Sequence, residues 1–118
     1  MKVLVIGASL KTERYSNIAI NMLTEFEHTV FALGLRKGIV NDVNIVTEKT
    51  DYKDIDTVTL YLNSGRQSEY YDYIIGLKPK RVIFNPGTEN VTFYNLLEKE
   101  NINFEIACTL VLLRTGLF

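Results

Sequence analysis

The sequence has a single cysteine, a single histidine, two prolines and no tryptophan among its 118 residues. Cys108 alone can form neither an intrachain disulfide nor a cysteine-based zinc cluster, so a reducing, cytoplasmic compartment is expected. Long apolar runs are missing too. The first run, Val3 to Ile6, stops at Gly7 and is too short for a signal-sequence core. Nothing approaches the ~20 apolar residues of a membrane-spanning helix, so no membrane partner is expected. Neither charge sign is in excess: 13 basic and 14 acidic side chains leave −1 at pH 7. That balance argues against nucleic acid as a partner and leaves room for a small anion site. Internal repeats and low-complexity segments are absent. What is present is 47% hydrophobic and 23% charged residues, an ordinary globular composition for one domain spanning residues 1–118.

Short apolar runs alternate with helical periodicity. Val3–Ile6 is a continuous apolar run and suits a strand buried on both faces. Ile18, Ala19, Met22, Leu23 and Phe26 recur at helical spacing and predict a helix from about Tyr15 to Glu27. Thr29–Leu33 reads as a second strand, followed by a polar loop with Arg36, Lys37 and Gly38, and Val43–Val46 as a third. Asp51–Asp54 is expected to form a helical turn, and Thr57–Leu62 a fourth strand rich in β-branched residues. A helix over Arg66–Gly76 should end at Lys78-Pro79. Strand Arg81–Phe84, helix Asn90–Lys99, strand Asn103–Ala107 and a short helix or extension at Thr109–Arg114 complete the pattern. The alternation implies a three-layer, doubly wound α/β domain with a mainly parallel sheet of five to six strands. Ligands of such sheets sit beyond the carboxyl ends of the strands.

The polar punctuation fits that edge, because Gly7-Ala8-Ser9, Gly34, Asn63-Ser64-Gly65 and Asn85-Pro86-Gly87 all follow strands. The segment from Gly7 to Asn17 carries the most chemistry. A glycine lets the chain turn tightly and a ligand come close. Ser9, Thr12, Ser16 and Asn17 offer donors, Lys11 and Arg14 offer charge, and the helix beginning at Tyr15 offers free N–H groups. This combination suits a phosphate, although a plain turn with a capping serine and solvated charges would use the same residues. A dinucleotide fingerprint needs glycines where Ser9 and Thr12 stand, and a carboxylate at the end of the second strand, which reads Val30-Phe31-Ala32-Leu33-Gly34. A phosphate-binding loop of the Walker type is absent. Arg36 and Lys37 follow the second strand instead and suit a ribose phosphate, or are simply solvated.

Taken in order, V-I-G-A-S-x-K at Val5 to Lys11, R-Y-S at Arg14 to Ser16, H-x-V at His28 to Val30, Lys37-Gly38, D-x-V at Asp56 to Val58, R-V-I-F-N-P-G at Arg81 to Gly87, and Cys108 resemble the small CoA-binding proteins. These are stand-alone Rossmann-like domains related to the nucleotide-binding domain of the succinyl-CoA synthetase α-subunit. The resemblance implies coenzyme A at the strand carboxyl edge. Its diphosphate would lie on the loop of Gly7, Ala8, Ser9 and Lys11, near Arg14, Tyr15 and Ser16. Asn63, Asn85, Pro86 and Gly87 would complete the site. Relatives often read N-P where Leu33-Gly34 stands, and Gln-Gly where Asn85-Pro86-Gly87 stands.

Catalytic constellations are not found. His28 precedes the second strand, opposite the expected ligand edge, and reads as structural. Cys108 sits in an apolar run and reads as a small core residue, with partnership to a ligand thiol as the sharper alternative. Asp51, Asp54 and Asp56 read as a helix start and a strand entry rather than a metal site. Tyr70, Tyr71 and Tyr73 read mostly as core, with one free to stack on a base. The expected function is binding of CoA or an acyl-CoA without evident catalysis. The alternatives are an NAD(P)-linked enzyme domain and a ligand-free interaction module. The apolar ending, Leu110 to Leu113 with Leu117 and Phe118, points to a homodimer; otherwise the tail would fold back over the helix of Leu96 and Leu97.

Overall fold

The computed structural model describes all residues, Met1 to Phe118. Its elements are β1 (Lys2–Ala8), α1 (Tyr15–Glu25), β2 (Thr29–Gly34), β3 (Gly38–Val40), β4 (Val43–Val46) and β5 (Thr57–Leu60). They continue with α2 (Ser64–Gln67), a 3-10 turn at Ser68–Tyr70, α3 (Tyr71–Leu77), β6 (Arg81–Phe84), α4 (Val91–Lys99), β7 (Asn103–Ile106) and α5 (Thr109–Arg114). One seven-stranded sheet runs in the order β3-β4-β2-β1-β5-β6-β7. Every neighbouring pair is parallel except β3 with β4. The chain winds outward from β1 to β2 and β4, then returns across β1 to β5, β6 and β7. The doubly wound α/β architecture is therefore present, with its switch point between β1 and β5.

The run Val3–Ile6 is apolar throughout because both of its faces are covered. Leu4 and Ile6 join Val58, Leu60, Val82, Phe84, Ile74, Phe93 and Leu97 on one side. Val3 and Val5 join Ile20, Leu23 and Leu113 on the other, under α1 and α5. Full burial of each such side chain contributes about 1.5–3 kcal/mol, which is why the central strand tolerates no polar alternation.

The structure differs from expectation at several places. The additional strand is β3, at residues read as loop. Asn41 and Asp42 have φ of 48° and 64°, so they form the two-residue turn that pairs β3 with β4 as a hairpin. Asp51–Asp54 is not helical but an irregular segment. The strand expected to reach Leu62 leaves the sheet after Leu60. The helix expected over Arg66–Gly76 is broken into α2, a 3-10 turn and α3. The tail does not cross α4. Leu110 and Leu113 are buried and α5 packs beside α1. Of the tail's large apolar side chains, Val111 and Leu117 remain exposed, as does Ile106 on the edge strand.

Phe118 closes the opposite, amino end of the sheet. Arg81 lies over its ring at 4.5 Å, donates to its carbonyl oxygen at 2.9 Å, and pairs with Glu105 at 2.9 Å. The His28 ring packs on Phe118, 5.1 Å between centroids, and its Nδ1 accepts from the Met1 ammonium at 3.3 Å. Burial first, then the Met1 ammonium and Arg81, lower the His28 pKa, against a smaller opposing effect of Asp56. The unfolded chain therefore takes up this proton first as pH falls. The contribution is complete above about pH 6.5 and is lost as pH falls through the lowered folded value. The thermal midpoint should show a small decline in that range, and His28→Phe should flatten it. His28 is partly exposed, so solvent screening keeps the effect small.

Candidate functional site

A cleft of about 720 Å³ opens at the carboxyl ends of the strands, over the switch point. This volume falls in the usual range of about 300–1,000 Å³ for small-molecule sites. Its walls are the β1–α1 loop, the end of β2, and the loops after β5 and β6. Gly7 lets β1 and β5 meet there. Its φ is +92°, the register with β2 shifts between Ile6 and Ala8, and a Cβ would stand 2.9 Å from the Tyr61 carbonyl carbon. Gly34 closes the other side, where a Cβ would run into the Ala8 carbonyl oxygen.

The β1–α1 loop is held by its own polar groups. The Ser9 hydroxyl oxygen accepts from the Lys11 N–H at 3.1 Å. Buried Asn17 donates from Nδ2 to the Ser9 carbonyl at 2.9 Å, and its own Oδ1 accepts from Asn21. The Lys11 carbonyl accepts from the Arg14 N–H at 3.1 Å, tightening the entry to α1. Arg14 is the N-cap of α1 in extended backbone, with no side-chain cap and no acidic residue in the first turn. The N–H groups of Tyr15 and Ser16 donate to no oxygen of the protein. By contrast Asn63 and Asn90 cap α2 and α4. The end of α1 that faces the cleft thus keeps free donors and the positive pole of its dipole.

Four cationic side chains line the cleft, Lys11, Arg14, Arg36 and Arg66, and no carboxylate does. None of the four pairs with an acid anywhere in the protein. Local charge is therefore strongly positive on a chain whose net charge is −1. Uncompensated cations around free backbone donors suit an anionic group.

Among the residues singled out from sequence, Gly7, Ala8, Ser9, Lys11, Arg14, Tyr15, Ser16, Arg36, Asn63, Pro86 and Gly87 line this cleft. Lys37 and Asn85 do not. Lys37 is exposed, next to the hairpin. Asn85 is buried, and its side chain is fully engaged inside the protein. Nδ2 donates to Thr59 Oγ1 at 2.7 Å and to the Leu60 carbonyl at 2.8 Å, while Oδ1 accepts from the Thr109 N–H at 2.8 Å. It joins β6, β5 and the start of α5. Asn85→Ala should cost about 2–4 kcal/mol of stability, because buried partners are left unsatisfied. Urea unfolding followed by circular dichroism measures it.

Sequence reasoning missed Leu10, Leu33, Leu35, Tyr61, Leu62, Arg66 and Thr88 as lining residues, and named Tyr70 only as one of three tyrosines of which one could stay free. Arg66 had a readable signal, a cation one turn into a helix that follows a strand. Tyr70 lines the cleft with Lys49 above its ring at 5.1 Å, whereas Tyr71 stacks on Phe93 and Tyr73 donates to the Thr50 carbonyl. Burial pushes the Tyr61 hydroxyl up to about 12, against the smaller opposing influence of the Thr109 and Thr59 hydroxyls. Cys108 is half-buried at the N-cap of α5, outside the cleft wall. No group of histidine, cysteine and carboxylate side chains is arranged to hold a metal ion.

A family model for the CoA binding domain matches residues 1–114. The chain belongs to the CoA-binding domain family. The free helix end and the uncompensated cations suit the phosphates of the family's ligand. Among solved structures, the crystal structure of an uncharacterized protein is 44% identical, with a TM-score of 0.96 over 99% of this chain and 97% of that one. A Thermus thermophilus protein, 18% identical, shares the CoA-binding domain's fold with a TM-score of 0.87 over 99% of this chain and 90% of its own. A hypothetical protein from Pyrococcus horikoshii, 24% identical, does so at 0.85 over 98% and 82%. No curated protein matches the chain.

Proposed function

We propose that this CoA-binding domain holds coenzyme A or an acyl-CoA in the cleft at the switch point and works by binding rather than catalysis. The observation that carries the proposal is the cleft wall itself: four unpaired cations, no carboxylate, and an uncapped helix end. The diphosphate would sit on the loop from Gly7 to Lys11, against the N–H groups of Tyr15 and Ser16 and beside Arg14. The ribose phosphate would face Arg36 at the end of β2. An NAD-linked domain would instead need a carboxylate at that strand end to hold a ribose hydroxyl. Leu33, Gly34, Leu35 and Arg36 stand there; the arginine suits a phosphorylated ribose, and Ser9 and Thr12 in place of the second and third fingerprint glycines stand against a dinucleotide. The lone histidine lies beside Phe118 at the other end of the sheet, so no imidazole reaches the cleft to activate a nucleophile.

Calorimetric titration with CoA, NAD and NADP tests the reading. CoA should bind at least tenfold more tightly than either dinucleotide, about 1.4 kcal/mol or more. Tighter binding of NAD than of CoA would overturn it.

A further inference from the structure

We propose that Gln67 is a positioning residue that fixes the spacing between the loops after β5 and β6, and thereby governs how the cleft accepts the uncharged arm of its ligand. This role rests on the CoA reading above. Gln67 is fully buried, although its neighbours Arg66 and Ser68 are exposed. Its Nε2 donates to the Leu62 carbonyl at 2.9 Å and to the Thr88 carbonyl at 2.7 Å. Both residues line the cleft, Leu62 from the loop after β5 and Thr88 from the loop after β6. The Gln67 Oε1 accepts from Asn90 Nδ2 at 2.9 Å, and Asn90 in turn caps α4. Both N–H groups and the oxygen of one buried side chain are thus spent on holding two cleft walls and the start of a helix together. Neither loop can shift outward without leaving buried carbonyls unsatisfied.

The distribution of charge says which part of a ligand these walls meet. Lys11, Arg14 and Arg36 gather at the β1–α1 loop and the end of β2. The wall between β5 and β6 offers Leu62, Asn63, Pro86 and Thr88, with Arg66 as its one charge. An uncharged, amide-bearing extension fits that wall, and the phosphates fit the other. The arm should therefore feel a change in loop spacing that the phosphates do not.

The test compares two ligands on the full chain: CoA, and 3′-phospho-ADP, which keeps the CoA phosphates and lacks the arm. In Gln67→Met, affinity for CoA should fall on the order of tenfold while that for 3′-phospho-ADP changes less than about twofold. Equal losses for both ligands, or no loss for either, would overturn the role. If wild type binds neither ligand, the CoA reading fails and takes this role with it. If wild type binds both and Gln67→Met matches it, the role alone fails.

Should Gln67→Met not fold, Gln67→Glu makes the same comparison within one protein. A protonated carboxyl at this position can donate to one of the two carbonyls. Once ionised, it can only confront them. Relative to wild type measured alongside, which corrects for the terminal phosphate that titrates in 3′-phospho-ADP and is esterified in CoA, the ratio of CoA to 3′-phospho-ADP affinity should fall about tenfold between about pH 5 and pH 8 in this variant. A variant ratio that tracks wild type across that range overturns the proposal.

Discussion

A chain carrying Lys11→Ala and Arg14→Ala together should bind CoA at least a hundredfold more weakly than wild type. Each side chain is exposed, lines the cleft, and pairs with no carboxylate. A hydrogen bond from such a cation to a phosphate contributes about 1.5–3 kcal/mol, so two lost contacts multiply to that loss or more. The thermal midpoint should stay nearly constant, since neither side chain supports the core. The combination of weak binding with an unchanged melt separates loss of ligand contacts from loss of fold. Raising the salt concentration should weaken wild type more than the variant, because the variant has fewer charges left to screen. A double variant that binds like wild type would show that the diphosphate lies elsewhere.

Gly7→Ala should show the opposite signature, damaging stability and binding together. The backbone there has φ +92°, and a Cβ would lie 2.9 Å and 3.0 Å from the Tyr61 carbonyl carbon and oxygen. The disfavoured backbone costs about 1–3 kcal/mol. Displacing the β5 extension adds a comparable amount, since backbone atoms cannot rotate out of the way as a side chain can. The displaced residue is Tyr61, which forms part of the cleft, so CoA affinity should fall with stability. Gly76→Ala is the control. It lies inside α3 with nothing within 4 Å of an added Cβ, so it should stabilise by about 0.5–1 kcal/mol and leave binding unchanged. Chemical denaturation of both variants with parallel CoA titrations decides the matter. A Gly7→Ala chain as stable as wild type would mean that the two strand ends do not meet as described.

The hairpin of β3 and β4 shows how near the sequence came to the full strand count. Asn41-Asp42 stands between Val40 and Val43, a two-residue turn signal flanked by β-branched residues. The signal was legible, but three residues of β3 are too few to register by periodicity. The broken helix after Asn63 is another matter. Tyr70, Tyr73, Ile74 and Leu77 do recur at helical spacing, and local preference allows one helix. The break accompanies Gln67, whose side chain turns inward to carbonyls on two other loops. One of those partners, Thr88, is far along the chain, so no local pattern could announce it.

Asn85 and Arg66 mark the same boundary within the site. From sequence, both were polar residues just past a strand, and only Asn85 was singled out as a ligand group. In the fold, Asn85 turns into the protein to bind β5 and α5, whereas Arg66 lines the cleft. Residue type and position relative to a strand end cannot decide which way a polar side chain faces.

By itself the sequence determined the layered α/β pattern, the strand edge at which the cleft opens, and the glycine and basic character of the β1–α1 loop. Those follow from local periodicity and from backbone needs that a single residue reveals. Tertiary structure alone decided that Lys11, Arg14, Arg36 and Arg66 share one cleft free of carboxylates, that the start of α1 is left uncapped toward it, and that Gln67 ties two of its walls together. Each of these depends on groups brought together from distant parts of the chain, and hydrogen bonding and charge act through distance in space, which sequence spacing does not encode.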